Sequence, residues 1–226
     1  MARVVGTERV AALIPAAGAG QRLGRGPKAL VELAGESLLQ RAMRAFDGQV
    51  DEILVAVSSE MGELELPGVG RTVWGGETRQ ASVYNLVQAT EADIVLIHDA
   101  ARPFLSPSVI RAVVEAVRES GAASVVTHVA DTLIETEGGR VVDRQRLRAV
   151  QTPQGFRREL ILAAHERALA GNYEATDDAG LARLAGHSVT LVEGSSWLMK
   201  VTSPADLELA EALSSVWDNI WSKQCS

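Results

Sequence analysis

A chain of 226 residues, 46% hydrophobic and 23% charged, is long enough to bury one large core or two small ones. Its formal charge of −7 argues against a general nucleic-acid binder, which carries a basic excess, yet leaves room for a small anion held by a local Arg and Lys cluster. The single cysteine, Cys225, excludes a disulfide framework and a cysteine-based metal site, and no apolar run reaches the eighteen or so residues that span a bilayer. The N-terminus, MARVVGTERV, is too polar and short for a signal peptide, so a cytoplasmic protein without membrane contact is expected.

In chain order, residues 10–15 (VAALIP) read as a first strand and 52–57 (EILVAV) as a second. Residues 93–97 (DIVLI) and 124–129 (SVVTHV) are further strands, buried on both faces because their apolar character is continuous rather than alternating. Amphipathic segments lie between them. In SLLQRAMRAF, Leu38, Leu39, Ala42, Met43 and Phe46 share one face, and Ser37 with Gln40 fits a capping box. In SPSVIRAVVEAV, Ser106 can cap, Pro107 takes the first helical position, and Val109, Ile110, Val113, Val114 and Val117 form the stripe. Ser203-Pro204 opens a further helix along Leu207, Ala210 and Leu213. Trp217, Ile220 and Trp221 continue its stripe, so over residues 204–226 the helix either runs on and packs its tryptophans or ends in a frayed tail. The alternation predicts one α/β domain over residues 1–226, Rossmann-like, with a mainly parallel sheet flanked by helices.

Residues 131–150 break the rhythm. Two short β-prone runs flank Glu-Gly-Gly and predict a projecting β-hairpin arm, heavily charged and thin in apolar residues. A lone two-stranded ribbon is marginal in water. The arm therefore either packs on a second copy of the chain or is a solvated flap of its own domain.

The stretch after the first strand, PAAGAGQRLGRGPKAL, carries four glycines and three cations in its loop. A P-loop would need a Ser or Thr after its Lys, but Lys28 follows Pro27 and precedes Ala29. A dinucleotide-binding turn would need G-x-G-x-x-G opening directly into a helix, whereas Gly18, Gly20 and Gly24 are spaced G-x-G-x-x-x-G and the next clear helix waits until about Ser37. What remains is a long irregular loop whose small residues let backbone amides approach a ligand, with Arg22 and Lys28 adding charge. That combination suits a triphosphate; the plainer reading is a flexible surface loop. Further on, VLIHDAARP places Asp99 just beyond a buried strand, where Arg102 is its natural partner or co-ligand. WGGETRQASV reads as a turn at Gly75-Gly76 followed by a helix from about Thr78 that presents Ser82. Either stretch could also be ordinary loop and turn structure.

With the later motifs HDAARP (98–103), DT (131–132), DR (143–144), QTPQGF (151–156), TDD (176–178) and KVTSPADL (200–207) following in order, the chain resembles the 2-C-methyl-D-erythritol 4-phosphate cytidylyltransferase family of the non-mevalonate isoprenoid pathway. The first loop alone specifies only the nucleotidyltransferase superfamily; the ordered set specifies the family. The resemblance implies transfer of CMP from CTP to a polyol phosphate with release of pyrophosphate, catalysed by positioning and by positive charge around the transferring phosphorus. It implies that Arg22, Lys28 and Lys200 stabilise the transition state. It also implies that Pro15, Ala16, Ala17, Gly18, Gly20, Gly76, Ser82 and Ala100 hold the nucleotide, that Asp99, Arg102, Thr132, Thr152 and Thr176 position the acceptor, and that Arg144 reaches from the arm into the partner subunit's site in a homodimer. Mg2+ is implied as cofactor, carried mainly on triphosphate oxygens, with no certain metal ligand on the chain. No general base is needed, because a phosphate monoester is already ionised near neutral pH. His128, where the family often has proline, is given a structural role. The alternatives are a cytidylyltransferase for another polyol phosphate such as ribitol 5-phosphate, a nucleotidyltransferase with another base or a sugar 1-phosphate, and a non-catalytic nucleotide-binding regulatory module. A glycosyltransferase is disfavoured because Asp-x-Asp is missing.

Overall fold

The computed structural model describes residues 8–18, 27–61 and 71–224. Strand β1 (Val10–Pro15) is central to a seven-stranded sheet. On one side it pairs in parallel with β4 (Glu52–Val57), which pairs with the edge strand β5 (Arg71–Trp74). On the other side it pairs in parallel with β6 (Ile94–Ile97). Beyond β6 lie β10 (Arg148–Arg157), β7 (Ala122–His128) and the second edge strand, β11 (Thr190–Glu193). Only β10 runs against its neighbours. The mainly parallel sheet read from the sequence is therefore present, with β7 starting two residues earlier than the pattern suggested. β2 (Glu32–Leu33) and β3 (Glu36–Ser37) form a small ribbon before α1.

Because both faces of the sheet are covered, alternate residues of each strand enter different cores. Ala12 and Ile14 of β1 join Leu39, Met43 and Phe46 of α1 (Leu38–Phe46) and Ile110, Val113 and Val117 of α3 (Pro107–Ser120). Ala11 and Leu13 face Val83 and Leu86 of α2 (Arg79–Ala89) and Ile161 and Ala164 of α4 (Arg158–Gly171). A short helix, α5 (Asp178–Leu184), packs on α4. The expected caps form as read: Ser37 and Gln40 close a reciprocal capping box, and Ser106 accepts from the Val109 amide with Pro107 in the first turn.

The antiparallel strand β10 was not legible as a strand, because QTPQGF is polar and carries Pro and Gly. Its pairing with β7 is irregular between Val150 and Gln154, where Pro153 can sit without a ladder N–H. Gly155 is dictated by packing, since a Cβ there would lie 2.6 Å from Val113 Cγ1 and 2.8 Å from Val117 Cγ2. The projecting ribbon forms between β8 (Leu133–Ile134) and β9 (Val141–Val142), turning through Gly138 and Gly139 at φ of 81° and 65°.

Among the described residues the segment after Ser203 is one helix, α6 (Pro204–Gln224), whose tryptophans pack. Trp217 is 4% exposed, with its ring centroid 5.3 Å from that of Trp197 and 5.5 Å from that of Phe104. Asp218 ties the helix to α1 through Arg41 and Arg44. No described helix is long and apolar enough to cross a membrane. Truncating Trp217 to Ala should cost about 3–5 kcal/mol, read as a lowered midpoint of urea unfolding; an unchanged midpoint would mean a tail that only rests on the surface.

Candidate active site

The sheet order reverses at β1: the chain passes outward to β4 and β5, then returns to β6 on the opposite side. Loops leaving the carboxyl ends of β1 and β6 diverge there and leave a crevice, the usual ligand position of an open α/β sheet. It contains a cavity of about 390 Å³. Its walls come from the loop after β1 (Pro15, Ala16, Ala17, Gly18), from Lys28 and Ala29, from the turn after β5 into α2 (Gly76 to Arg79, with Ser82), from the loop after β6 (Asp99, Ala100, Ala101) and from Lys200.

Small residues bring two of these walls together. The Ala16 amide donates to Ala56 O and the Gly75 amide to Val57 O, each at 2.9 Å, so both loops hang from β4. A Cβ on Gly75 would lie 2.3 Å from Ala17 Cβ, and one on Gly76 2.4 Å from Ala81 Cβ. Only glycine permits this approach. Thr78 caps α2 by accepting from the Ala81 amide. Ser82 Oγ donates to Thr78 O at 3.0 Å and accepts from the Gly76 amide at 3.1 Å. Its proton is therefore committed to the turn, and its oxygen holds Gly76 in place.

Asp99 is the electrostatic centre. Its side chain is 12% exposed, and its two oxygens accept separate cations: Lys200 Nζ on Oδ2 at 2.7 Å and Arg79 Nε on Oδ1 at 3.2 Å. Burial alone would raise its pKa, but Arg79 and Lys200 outweigh that and hold the carboxyl well below the usual carboxylate range. This differs from the partner expected from the sequence. Arg102 points away from the cavity, with Nη1 on Leu198 O at 2.6 Å and Nη2 on Val150 O at 3.3 Å. Only its backbone meets Asp99, through the amide donating to Asp99 O. That short turn keeps the two backbones close, but the long side chain finds its acceptors in carbonyls beneath the loop.

Behind Asp99 lies a buried polar knot. His98 Nε2 is 3.1 Å from Arg102 O, a carbonyl that can only accept, so Nε2 carries the proton and Nδ1 is an acceptor. Thr152 Oγ1 therefore donates to Nδ1 at 3.0 Å while accepting from the Asp99 amide at 3.1 Å. Desolvation lowers the His98 pKa to about 4 and keeps the ring neutral. Lys200 is brought to the site by its neighbours: the Val201 amide donates to Ala101 O at 2.9 Å, and Asp206 gathers Thr202 and Ser203 at the start of α6.

The cavity thus unites Pro15, Ala16, Ala17, Gly18, Lys28, Gly76, Ser82, Asp99, Ala100 and Lys200. Arg102 and Thr152 are not in its wall; both are buried and committed beneath it. Thr132, Arg144 and Thr176 are exposed and outside it, and Arg144 donates to Ala130 O. Gly20 and Arg22 lie outside the described residues. Exposed His128 sits 3.9 Å from Glu193 at the sheet margin. Sequence reasoning gave no role to Arg79 or to Asp178 of the TDD motif, which is 2% exposed and accepts from Arg79 Nη1 at 2.8 Å. The available signal was an Arg immediately after a Thr cap, a helix end that disfavours cations.

A protein-held metal does not fit these side chains. Among the described residues no group of three or more His, Cys, Asp or Glu could hold one, and Asp99 is already occupied by two cations.

The family model IspD, 2-C-methyl-D-erythritol 4-phosphate cytidylyltransferase, matches residues 10–215. The chain belongs to the 2-C-methyl-D-erythritol 4-phosphate cytidylyltransferase family. The family enzyme of Deinococcus radiodurans is 57% identical over 218 residues, covering 94% of this chain and 93% of that protein. That of Thermus thermophilus is 48% identical, covering 92% and 98%. The crystal structure of the Thermus enzyme superimposes with a TM-score of 0.83 over 92% of this chain and 100% of that one. The cytidylyltransferase match takes in every wall of the cavity and stops two residues before Trp217.

The neutral His98 sets a stability prediction. Its folded pKa of about 4 lies below the ordinary 6.5, so the unfolded chain takes up a proton that the folded one refuses. Stability should fall by up to about 3 kcal/mol as pH drops from about 6.5 to about 4. His165, whose pKa is also lowered by burial, adds to the same slope. Urea titrations of the wild type and His98→Asn should differ in slope within that window; parallel curves would mean that the ring is protonated in the folded protein.

Proposed function

We propose that the chain transfers CMP from CTP to 2-C-methyl-D-erythritol 4-phosphate, giving 4-diphosphocytidyl-2-C-methyl-D-erythritol and pyrophosphate, in non-mevalonate isoprenoid biosynthesis. The observation that carries this reading is the convergence of Lys28 and Lys200 with the small-residue loops of β1 and β5 in one cavity, within a family match over residues 10–215. A substrate phosphate oxygen attacks the α-phosphorus of CTP in line. The α-phosphorus to bridging-oxygen bond breaks, and pyrophosphate leaves with the electron pair; no proton need move. The demand is for positive charge where the transferring group gains negative charge. Lys28 and Lys200 supply it from two walls of the cavity, and Arg22 is assigned the same task by the family motif. Asp99 holds the Lys200 ammonium at its post. Gly76 and Ser82 form the wall for the base. Mg2+ carried on the oxygens of CTP would neutralise part of the triphosphate charge, with no ligand from the described side chains.

Acceptor selection is assigned to Thr132, Thr176 and Arg144, with Arg102 and Thr152 supporting the floor. Exposed apolar side chains on the arm, Ile134 and Val141 at 62% each, support docking of this ribbon on a second copy, so that Arg144 completes the partner's site in a cytoplasmic homodimer.

Lys28→Ala or Arg22→Ala should lower turnover by on the order of 10²–10³ with the fold retained, by loss of one preorganised charge. Single-turnover pyrophosphate release from CTP with methylerythritol phosphate and with ribitol 5-phosphate checks both chemistry and acceptor. Near wild-type rates in the variants would remove these residues from catalysis, and preference for ribitol 5-phosphate would reassign the acceptor. Light scattering under assay conditions should find a dimer; a monomer with full activity would exclude the shared site.

A further inference from the structure

Resting on the transfer reaction above, we propose that Arg79 is a positioning residue of the active site: clamped by Asp178, it fixes Asp99 and, through Asp99, the Lys200 ammonium in the cavity wall.

Arg79 stands where helix physics disfavours it. It is the first residue of α2, directly after the Thr78 cap, where unpaired amides and the helix dipole already present positive charge. Two carboxylates reverse the balance. Nε donates to Asp99 Oδ1 at 3.2 Å and Nη1 to Asp178 Oδ2 at 2.8 Å. The planar guanidinium makes these two contacts as one rigid body, so the positions of the two acids are linked.

Asp178 is built as the fixed end. It begins α5, the favourable end of a helix for an acid, and its amide donates to Gln154 Oε1 at 3.1 Å. Gln154 is fully buried and is held in turn by Ser124 and Asp177. The other basic side chain near Asp178, His165, lies 3.8 Å away, and its buried Nε2 makes no hydrogen bond. Arg79 is therefore the cation that makes a buried Asp178 tolerable. Its own pKa is raised further above the ordinary value by the two acids, which outweigh desolvation, so it stays charged.

The result is an alternating row, Asp178, Arg79, Asp99, Lys200, running from the core of the sheet's helical layer into the cavity. A pair between Arg79 and Asp178 would be enough to join α2 to α5. The additional contact to Asp99 serves the site: it occupies Oδ1 and leaves Oδ2 as the seat for Lys200. Without Arg79, two carboxylates would share that space with no charge between them, and Lys200 would lose its fixed seat.

The test is a double-mutant cycle on the full-length protein in the pyrophosphate-release assay. Arg79→Met should lower kcat about tenfold with KM for CTP changed less than about threefold, and should add less than about threefold in a Lys200→Met background. Arg79→Lys, which keeps the charge but cannot span both acids, should recover only part of kcat and should show the same dependence on Lys200. It serves as the reading if Arg79→Met does not fold. An equal loss in both backgrounds, or full activity without Arg79, overturns the proposal. A second readout needs no turnover. The chain has only three lysines, Lys28, Lys200 and Lys223, so isotope-labelled lysine gives few side-chain signals. The two ε-methylene protons of Lys200 should be resolved in the wild type and merge in Arg79→Met, while those of Lys223 stay unchanged; an unaltered Lys200 signal also overturns the proposal. A wild type inactive on CTP and methylerythritol phosphate would instead overturn the assigned reaction and leave this second readout to judge Arg79.

Discussion

A carboxylate that is nearly withdrawn from water must be met by positive charge or give up its own. Asp99 is met twice, and much of the site's order follows from that. Its backbone amide is held by Thr152, whose proton orients His98, whose second nitrogen closes the loop on Arg102 O. Its side chain reaches Lys200 in one direction and α2 in the other. The loop after β6 is thus tied to β10, to the start of α2 and to the segment before α6. Three parts of the chain far apart in sequence come to one wall of the cavity through one acid.

The fold was legible where local and tertiary demands agree. Continuous apolar runs marked β1 and β4 to the residue, because strands buried on both faces leave no alternation to misread. Ser37 and Ser106 were legible for another reason: a helix start needs its amides satisfied, and the residues that do so are few. β10 was hidden because its place is set by neighbours, Gly155 under Val113 and Val117, and not by the propensities of QTPQGF. The extent of α6 was open because Trp217 is stabilised by Phe104 and Trp197, partners outside its own helix that leave no trace in its local periodicity.

The site was legible as a set of motifs and less so as a network. The described small residues, Lys28 and Lys200 line one cavity, since close backbone approach and fixed charge both constrain residue type. Partnerships were harder. Arg102, close to Asp99 in sequence, was its natural mate on paper, whereas a guanidinium on a long stem can satisfy itself on distant carbonyls, and it does. Arg79 and Asp178 were given no role because each looks ordinary alone; their meaning lies in facing each other from positions 99 apart in sequence.

β10 has one more property. The ribbon of β8 and β9 runs through a single tight turn, Arg144–Arg146, directly into this strand, whose Thr152 grips His98 and the Asp99 amide. Arm and knot therefore belong to one continuous length of backbone, held in the sheet between β6 and β7. Two residues past the end of the arm, the chain supplies the side chain that holds the peptide of the Asp99 loop. The surface that projects farthest from the sheet and the floor of its cavity are thus written in one continuous stretch of sequence.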